Sequence, residues 1–152
     1  MKVIRIKNLS DISSRFERLS ADVQDELKDA LDISLRDIKV YAQQNHRFKS
    51  RTGQTERSID PEASYGTSFR GVVGTRWPVA IYQHDGTKAH TIEPRFKQAL
   101  RWVKSGRFRF AKRARHPGIE PDPFLYAALE HEQEAVISRF ENAIEQALKQ
   151  LK

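Results

Sequence analysis

Residues 9–42 read LSDISSRFERLSADVQDELKDALDISLRDIKVYA, and this stretch decides the fold. Its apolar residues recur at intervals of three and four, at Leu9, Ile12, Phe16, Leu19, Val23, Leu27, Leu31, Leu35, Ile38 and Ala42. This spacing lines one face of an α-helix, and the charged residues between them indicate a solvated opposite face. Ser10 or Ser14 can cap the start, the latter with Glu17 as its capping-box partner. The stretch predicts a helix over about residues 11–45, roughly 50 Å long at ~1.5 Å per residue, which is longer than so small a domain can cover alone.

The middle of the chain predicts strands. Residues 46–56 are polar and lack hydrophobic periodicity, so they predict a loop. Residues 57–65 and 69–75 are strand candidates, and Pro61 in the first of them indicates an edge strand or a bulge. Residues 77–84 form a short segment that fits either a helical turn or a strand.

The end of the chain predicts a second helix. Three prolines make residues 116–123 irregular, and helical periodicity then predicts a helix over about residues 123–150. With the strand-rich region at 57–119, the order is helix, strands, helix. We therefore expect an α+β fold in which a long N-terminal helix and a C-terminal helix pack on a small antiparallel β-sheet, with a basic β-hairpin as an insertion. A length of 152 residues suits one domain spanning residues 1–152.

The charge of the chain is concentrated in one segment. The formal net charge is +7, and nine of the 27 lysines and arginines fall between Pro94 and Ile119, where there is no acidic residue. A basic segment of this kind favours an acidic partner, either nucleic acid or protein. The chain contains no cysteine, which excludes disulfides and thiolate metal sites. No apolar run approaches the ~18 residues that span a bilayer, and the apolar stretch near the start is too short for a secretory signal. We therefore expect a cytosolic protein without a membrane partner.

The basic segment also predicts a hairpin. Leu100 to Val103 and Phe108 to Ala111 are strand candidates on either side of a tip at Ser105-Gly106. Its cations are Arg101, Lys104, Arg107, Arg109, Lys112, Arg113 and Arg115. The aromatics among them suit a nucleic-acid surface, where bases stack on rings, or else form the buried face of the hairpin. We favour burial for the aromatics and an acidic partner, phosphate or protein, for the cations.

The residues do not predict an enzyme. His84, Asp85 and His90 could bring a base together with an orienting carboxylate, but no activated nucleophile accompanies them. The five histidines lack the spacing of a metal site, and no phosphate-binding loop is present. We therefore assign no catalytic, metal or cofactor-binding residues and expect no cofactor; a small nuclease using His84 and Asp85 is the enzyme alternative.

Three motifs occur in order along the chain: RTG at 51–53 with RSI at 57–59, VGT at 73–75 with AIYQHDGT at 80–87, and PDPFL at 121–125 with AAL at 127–129. Together with the element order, they resemble the tail-component family of long-tailed double-stranded DNA phages, whose members are tail-completion or head-to-tail joining (neck) proteins. The resemblance covers roughly residues 10 to 150. The chain departs from the family pattern at Thr55 or Glu56, where a leucine is usual, at Asp85 in place of glutamate, and at Asp122 in place of arginine.

The resemblance implies a structural virion protein that acts in tail completion or head-to-tail joining by oligomeric assembly. Its subunits are expected to form a ring, with six as one candidate size, in the neck or tail of a virion assembled in the bacterial host cytoplasm. The implied partners are copies of itself, head-completion or adaptor proteins, and tail-terminator or tail-tube proteins, with DNA contact in the neck channel also open. The matching motif residues with expected structural roles are Gly53, Gly74, Tyr82, Gly86, Thr87, Pro123, Phe124 and Leu129.

These residues carry physical expectations of their own. Glycines at 53, 74 and 86 permit backbone angles that a β-carbon forbids, and Pro123 pre-sets the first turn of the last helix. The core candidates are Trp77, Tyr82, Phe124 and Leu129. One hypothesis for assembly is that the basic hairpin meets the acid-rich last helix of a neighbouring copy, at Glu120, Asp122, Glu130, Glu132, Glu134, Glu141 and Glu145. The alternative function is nucleic-acid binding by the hairpin region 95–115.

Overall fold

The computed structural model describes residues 2–5, 21–65 and 68–150. In these ranges the chain forms β1 (Lys2–Arg5), α1 (Ala21–Gln44), α2 (Gln54–Arg57), β2 (Ile59–Ser64), β3 (Arg70–Thr75), α3 (Pro78–Asp85), β4 (His90–Ile92), β5 (Leu100–Lys104), β6 (Arg107–Ala111), β7 (Ala114–His116) and α4 (Phe124–Gln150). Two long helices and small antiparallel sheets confirm the predicted α+β class.

Helix α1 confirms the predicted first helix from Ala21 onward, while residues 11–20 of that prediction lie outside the described residues. The predicted apolar face is buried along its whole described length, with every member at most 2% exposed: Val23, Leu27, Leu31, Leu35, Ile38 and Ala42. A face this completely buried needs partners on more than one side. The three-stranded sheet and helix α4 both pack against α1.

Helix α4 runs antiparallel to α1. Near the middle of the pair, the Arg139 guanidinium donates to Ser34 Oγ at 2.8 Å and to Asp37 Oδ2 at 2.6 Å. Farther toward the end of α1, Tyr41 stacks on His131 with ring centroids 4.0 Å apart. Along its length, α4 contributes buried apolar residues: Phe124, Leu125, Ala128, Val136, Phe140, Ala143 and Ala147.

The main sheet has the strand order β1-β3-β2, with both neighbours antiparallel. Pro61 lies in β2, at the edge of this sheet, which confirms the expectation of an edge position. Ile59 and Val73 are buried on the face that α1 covers. A β-carbon added at Gly71 would lie 2.7 Å from a Leu35 methyl and 2.8 Å from a Leu31 methyl, so the absence of a side chain allows the helix to approach the sheet.

Three local predictions need correction. The predicted loop 46–56 contains the start of α2, a turn of helix closed by Arg57 N–H donating to the Gly53 carbonyl at 3.0 Å. Because this turn includes Arg57, strand β2 starts at Ile59 and not at residue 57. Residues 77–84 need no correction, because they fall mostly in helix α3, which Pro78 begins and which is the helical one of the two alternatives predicted. His116, assigned to the irregular segment, pairs with His90 in β7.

The core candidates have mixed outcomes. Phe124 is fully buried, and Leu129 and Trp77 are partly buried. Tyr82 is 52% exposed, so its prediction as a core residue was wrong. Ala80 and His84, one helical turn apart, occupy the buried side of α3, and Tyr82 between them faces the other way.

The glycine expectations also divide. Gly53 and Gly86 have φ values of 68° and 73°, which confirms their need for left-handed backbone. Gly74 was wrongly grouped with them, because it is an extended residue inside β3, paired with Val3 and Asp60. Pro123 immediately precedes α4, and its carbonyl accepts a hydrogen bond from Ala127 N–H at 3.0 Å.

Among the described helices, none combines the length and the apolar character that a membrane span requires.

We expect the substitution Gly71→Val to lower the free energy of unfolding by about 2 kcal/mol, because Leu31 and Leu35 are fully buried and have little room to move. Gly74→Val is the matched control, since position 74 lies on the opposite face of the same strand. Urea denaturation followed by circular dichroism measures both variants. Equal destabilisation by the two would contradict the close approach of α1 at Gly71.

Candidate interaction hairpin

The predicted hairpin is present as β5 and β6, paired antiparallel from Leu100 opposite Ala111 to Lys104 opposite Arg107. Its tip is Ser105-Gly106, as predicted, with φ values of 53° and 73°. Positive φ at both residues is the geometry of a type I′ turn, whose twist matches that of the two strands. Ser105 has a side chain, which disfavours a positive φ, so the tip carries modest strain.

The two faces of the hairpin differ in chemistry. Directly opposed residues share a face, and faces alternate along each strand. One face, here called the cationic face, carries Trp102, Lys104, Arg107 and Arg109. The other, here called the apolar face, carries Val103, Phe108 and Phe110 beside Arg101. The Arg101 guanidinium lies 4.9 Å from the centre of the Phe108 ring, a cation–π contact within this face.

The expectation that the hairpin aromatics are buried was wrong. Trp102 is 41% exposed, Phe108 61% and Phe110 65%. β5 and β6 pack chiefly against each other, and within the described residues no helix or other sheet covers either side. Alternation alone indicates which residues share a face, but it cannot show whether another element covers that face.

All seven predicted hairpin cations are exposed, namely Arg101, Lys104, Arg107, Arg109, Lys112, Arg113 and Arg115. None of them forms an ion pair with another residue in the described ranges. Lys112 and Arg113 follow β6 directly, and Arg115 lies in β7 opposite Thr91. Their positive charge is therefore unneutralised by the part of the chain that the structure describes.

The hairpin is the outer part of a longer arm that the sequence did not predict. At its base, Thr87 and Ile119 exchange two backbone hydrogen bonds of 2.9 and 3.0 Å. β4 then pairs with β7, and β5 with β6, so residues 87–119 form nested antiparallel pairs. Gly118, with φ of 97°, fits here because a β-carbon would clash with the Thr87 carbonyl oxygen. The whole arm leaves and rejoins the domain at neighbouring points.

The three sequence motifs meet at the base of this arm and beside it. Ser58 of the first motif and Thr75 of the second share a hydroxyl hydrogen bond of 2.8 Å. Asp122 of the third donates its N–H to the Gln83 carbonyl of the second at 2.9 Å. Thr87 of the second motif pairs with Ile119. Residues within the three motifs thus hold separate segments of the chain together.

Asp122 is a buried carboxylate that anchors the loop after α1. Its Oδ2 accepts the backbone N–H groups of Arg47 at 2.5 Å and Phe48 at 3.1 Å. The Arg47 guanidinium lies 3.5 Å from Oδ1 and donates to the Pro121 carbonyl at 2.7 Å. Asp122 was wrongly included among the acids available to a neighbouring hairpin, because these groups already bind it inside the chain.

Of the three residues weighed as a catalytic group, the structure brings His84 and Asp85 together and leaves His90 apart. His84 is buried against Phe124, and its Nδ1 lies 2.9 Å from Asp85 Oδ1. His90 stacks instead on His116, with ring centroids 5.1 Å apart, because the two are opposed in β4 and β7. No group of three or more metal-binding side chains comes together within the described residues.

Glu56 is the carboxylate with a shifted pKa near the RTG motif. Burial raises its pKa, but a hydrogen bond from Ser50 and the positive charges of His46 and Arg57 outweigh burial and lower it below the usual 4.5. His46 Nε2 lies 3.4 Å from Glu56 Oε1, and its ring stacks on Phe48. The loop after α1 is thus fixed at two carboxylates, Glu56 and Asp122.

In comparisons with known proteins, the chain matches no protein-family model, no curated protein and no solved structure.

Removing the Asp122 carboxylate should destabilise the domain. We expect Asp122→Ala to lower the free energy of unfolding by about 2 kcal/mol, because two backbone N–H groups lose their acceptor. Glu120→Ala is the control, since Glu120 is exposed and two residues away. Urea denaturation at neutral pH measures both, and a wild-type midpoint for Asp122→Ala would contradict the anchoring role.

Glu56 should make stability fall in acid. Because the pKa of Glu56 is lower in the folded state, the unfolded chain binds a proton first as the pH falls. The stabilisation that ionised Glu56 provides is therefore complete above about pH 4.5 and is lost as the pH falls through the folded-state pKa. The difference in unfolding free energy between wild type and Glu56→Gln should therefore shrink from pH 6 to pH 3, measured by urea denaturation. Glu120→Gln is the control, and a difference that stays constant with pH would contradict the assignment.

Proposed function

We propose that this protein is a structural component of a long-tailed bacteriophage particle that acts in tail completion or head-to-tail joining by oligomeric assembly. The observation that carries the proposal is the arm at residues 87–119, whose outer hairpin exposes an apolar face and cations that form no ion pair with another described residue. Exposed aromatic clusters on a folded domain are typical of surfaces that bind other proteins. Such a chain works by contact, and we propose no catalytic role for it.

The motif contacts support the same proposal. The residues on which the phage tail-component resemblance rests include Ser58, Thr75 and Thr87, and these join segments that are distant in sequence. The motif positions thus serve the scaffold, and the arm that this scaffold presents is free to bind. The proposed partners are further copies of this chain and the head-completion, adaptor, terminator or tube proteins at the junction of head and tail.

A second candidate function is nucleic-acid binding through the cationic face. Trp102 lies on that face between the cations of both strands, with Arg109 directly opposite. Cations neutralise phosphate and an exposed indole stacks on bases, so this face suits DNA in a neck channel. Assembly remains the first proposal because DNA leaves the apolar face, with Phe108 and Phe110, uncovered.

Deletion of the gene from the phage or prophage that carries it tests the assembly role. We expect filled heads and complete tails that remain unjoined in negative-stain electron micrographs of the lysate, with infectious titre reduced at least a hundredfold. Expression of the wild-type chain from a plasmid should restore joined particles. Normal joined particles and normal titre after deletion would overturn the proposal.

A further inference from the structure

The outer hairpin has a complementary surface on helix α4. Along the solvent side of α4 lie four exposed carboxylates and two exposed apolar residues: Glu130, Glu134, Ile137, Glu141, Glu145 and Leu148. At ~100° per residue these positions fall within a sector of about 80°, so they form one continuous strip, here called the acidic stripe. The buried face of α4 lies on the other side of the helix, against α1.

Ile137 is the apolar centre of the acidic stripe. It is 49% exposed and lies between Glu134 and Glu141, which are exposed and form no ion pair with another described residue. Glu145, by contrast, already pairs with Lys149 at 3.3 Å. Glu130, Glu134 and Glu141 form no ion pair with another described residue, so these three carboxylates around an apolar centre repel one another, and a cationic partner relieves that repulsion.

The apolar face of the hairpin matches this arrangement in chemistry and in length. Val103 and Phe108 form its apolar centre, with Arg101 on the same face at one end, while the Lys104–Arg107 pair at the tip projects from the cationic face. The distance along the strand from Arg101 to Lys104 is about 10 Å at ~3.4 Å per residue. Glu134 and Glu141 are about 10 Å apart along the helix axis at ~1.5 Å per residue.

We infer that the hairpin of one copy docks lengthwise on the acidic stripe of α4 in a second copy. Val103 and Phe108 cover Ile137, and Arg101 on the same face meets one of the two glutamates Glu134 and Glu141. The long side chains of Lys104 and Arg107 reach around the tip from the cationic face to the other glutamate. Within one chain, no hydrogen bond or ion pair joins the hairpin to the stripe among the described residues. The inference rests on the assembly role proposed above and identifies the two patches through which copies associate.

Two different patches on each subunit make the contact heterologous. A contact of this type joins copies head to tail and closes into a ring when the rotation between neighbours allows it. Each copy then offers a hairpin to one neighbour and a stripe to the other. Reversal of charge on one patch alone therefore removes both contacts that a subunit of that variant makes with its own kind.

Charge exchange between the patches tests the inference. A hairpin variant carries Arg101→Glu and Arg107→Glu, a stripe variant carries Glu134→Lys and Glu141→Lys, and a combined variant carries all four. Self-association is measured by sedimentation velocity at low salt, and circular dichroism verifies that each variant is folded. We expect each single-patch variant to associate at least tenfold more weakly than wild type, and the combined variant to associate within threefold of wild type.

Mixing the two single-patch variants is the most discriminating part of this experiment. Each patch in the mixture meets one of opposite charge only on the other variant, so association should return with the two variants in equal numbers. Arg36→Glu with Arg70→Glu is a charge-matched control at exposed sites away from both patches, and it should associate as wild type does.

Several outcomes would overturn the inference. Wild-type chain that stays monomeric excludes a second copy as the occupant, and normal association of the stripe variant places the acceptor of the hairpin elsewhere. Single-patch defects that neither the combined variant nor the mixture repairs show a nonspecific effect of charge. Loss of duplex-DNA retention in the hairpin variant with unchanged self-association assigns the hairpin to nucleic acid. Each of these results leaves the deletion phenotype, and so the assembly role, separately testable.

Discussion

The structure depends on the burial of α1 from two directions. The six apolar residues of its described face are almost wholly inaccessible, because the three-stranded sheet covers one side and α4 covers another. The sheet approaches closely only because position 71 lacks a side chain. The polar residues Ser34 and Asp37, at the edge of the buried face, both bind Arg139 of α4 and so fix how the two helices lie along each other. Burial supplies most of the stability, and these polar contacts select one arrangement of the helices.

A second constraint acts at the end of the helix pair, where contacts join separate segments of the chain. Here Asp122 holds the loop after α1, Thr87 holds Ile119, and Ser58 holds Thr75. Each contact joins residues from different segments, so together they position the base of the arm relative to the helices. This is why a chain without cysteine can present a projecting arm from a fixed origin.

Periodicity and turn chemistry were sufficient to predict the long helices, the edge position of Pro61 and the hairpin with its Ser105-Gly106 tip. These features depend on neighbouring residues, and short-range patterns report them well. The exposure of Tyr82 and of the hairpin aromatics depends on what packs beside them, which no local pattern contains. The pairing of His90 with His116, like the anchoring of Arg47 and Phe48 by Asp122, joins residues far apart in the chain. The α+β class was predictable as a whole, whereas the base of the arm emerged only from the structure.

The closed base of the arm has an evolutionary consequence. Because residues 87 and 119 are hydrogen-bonded neighbours, the segment between them is a cassette whose two ends lie side by side. Exchange of such a cassette leaves the helices, the sheet and their contacts intact, since its outer strands pack chiefly on themselves. Recombination within one short stretch of gene could therefore change the surface that this scaffold presents. The same property makes the arm a natural position for grafting a foreign hairpin.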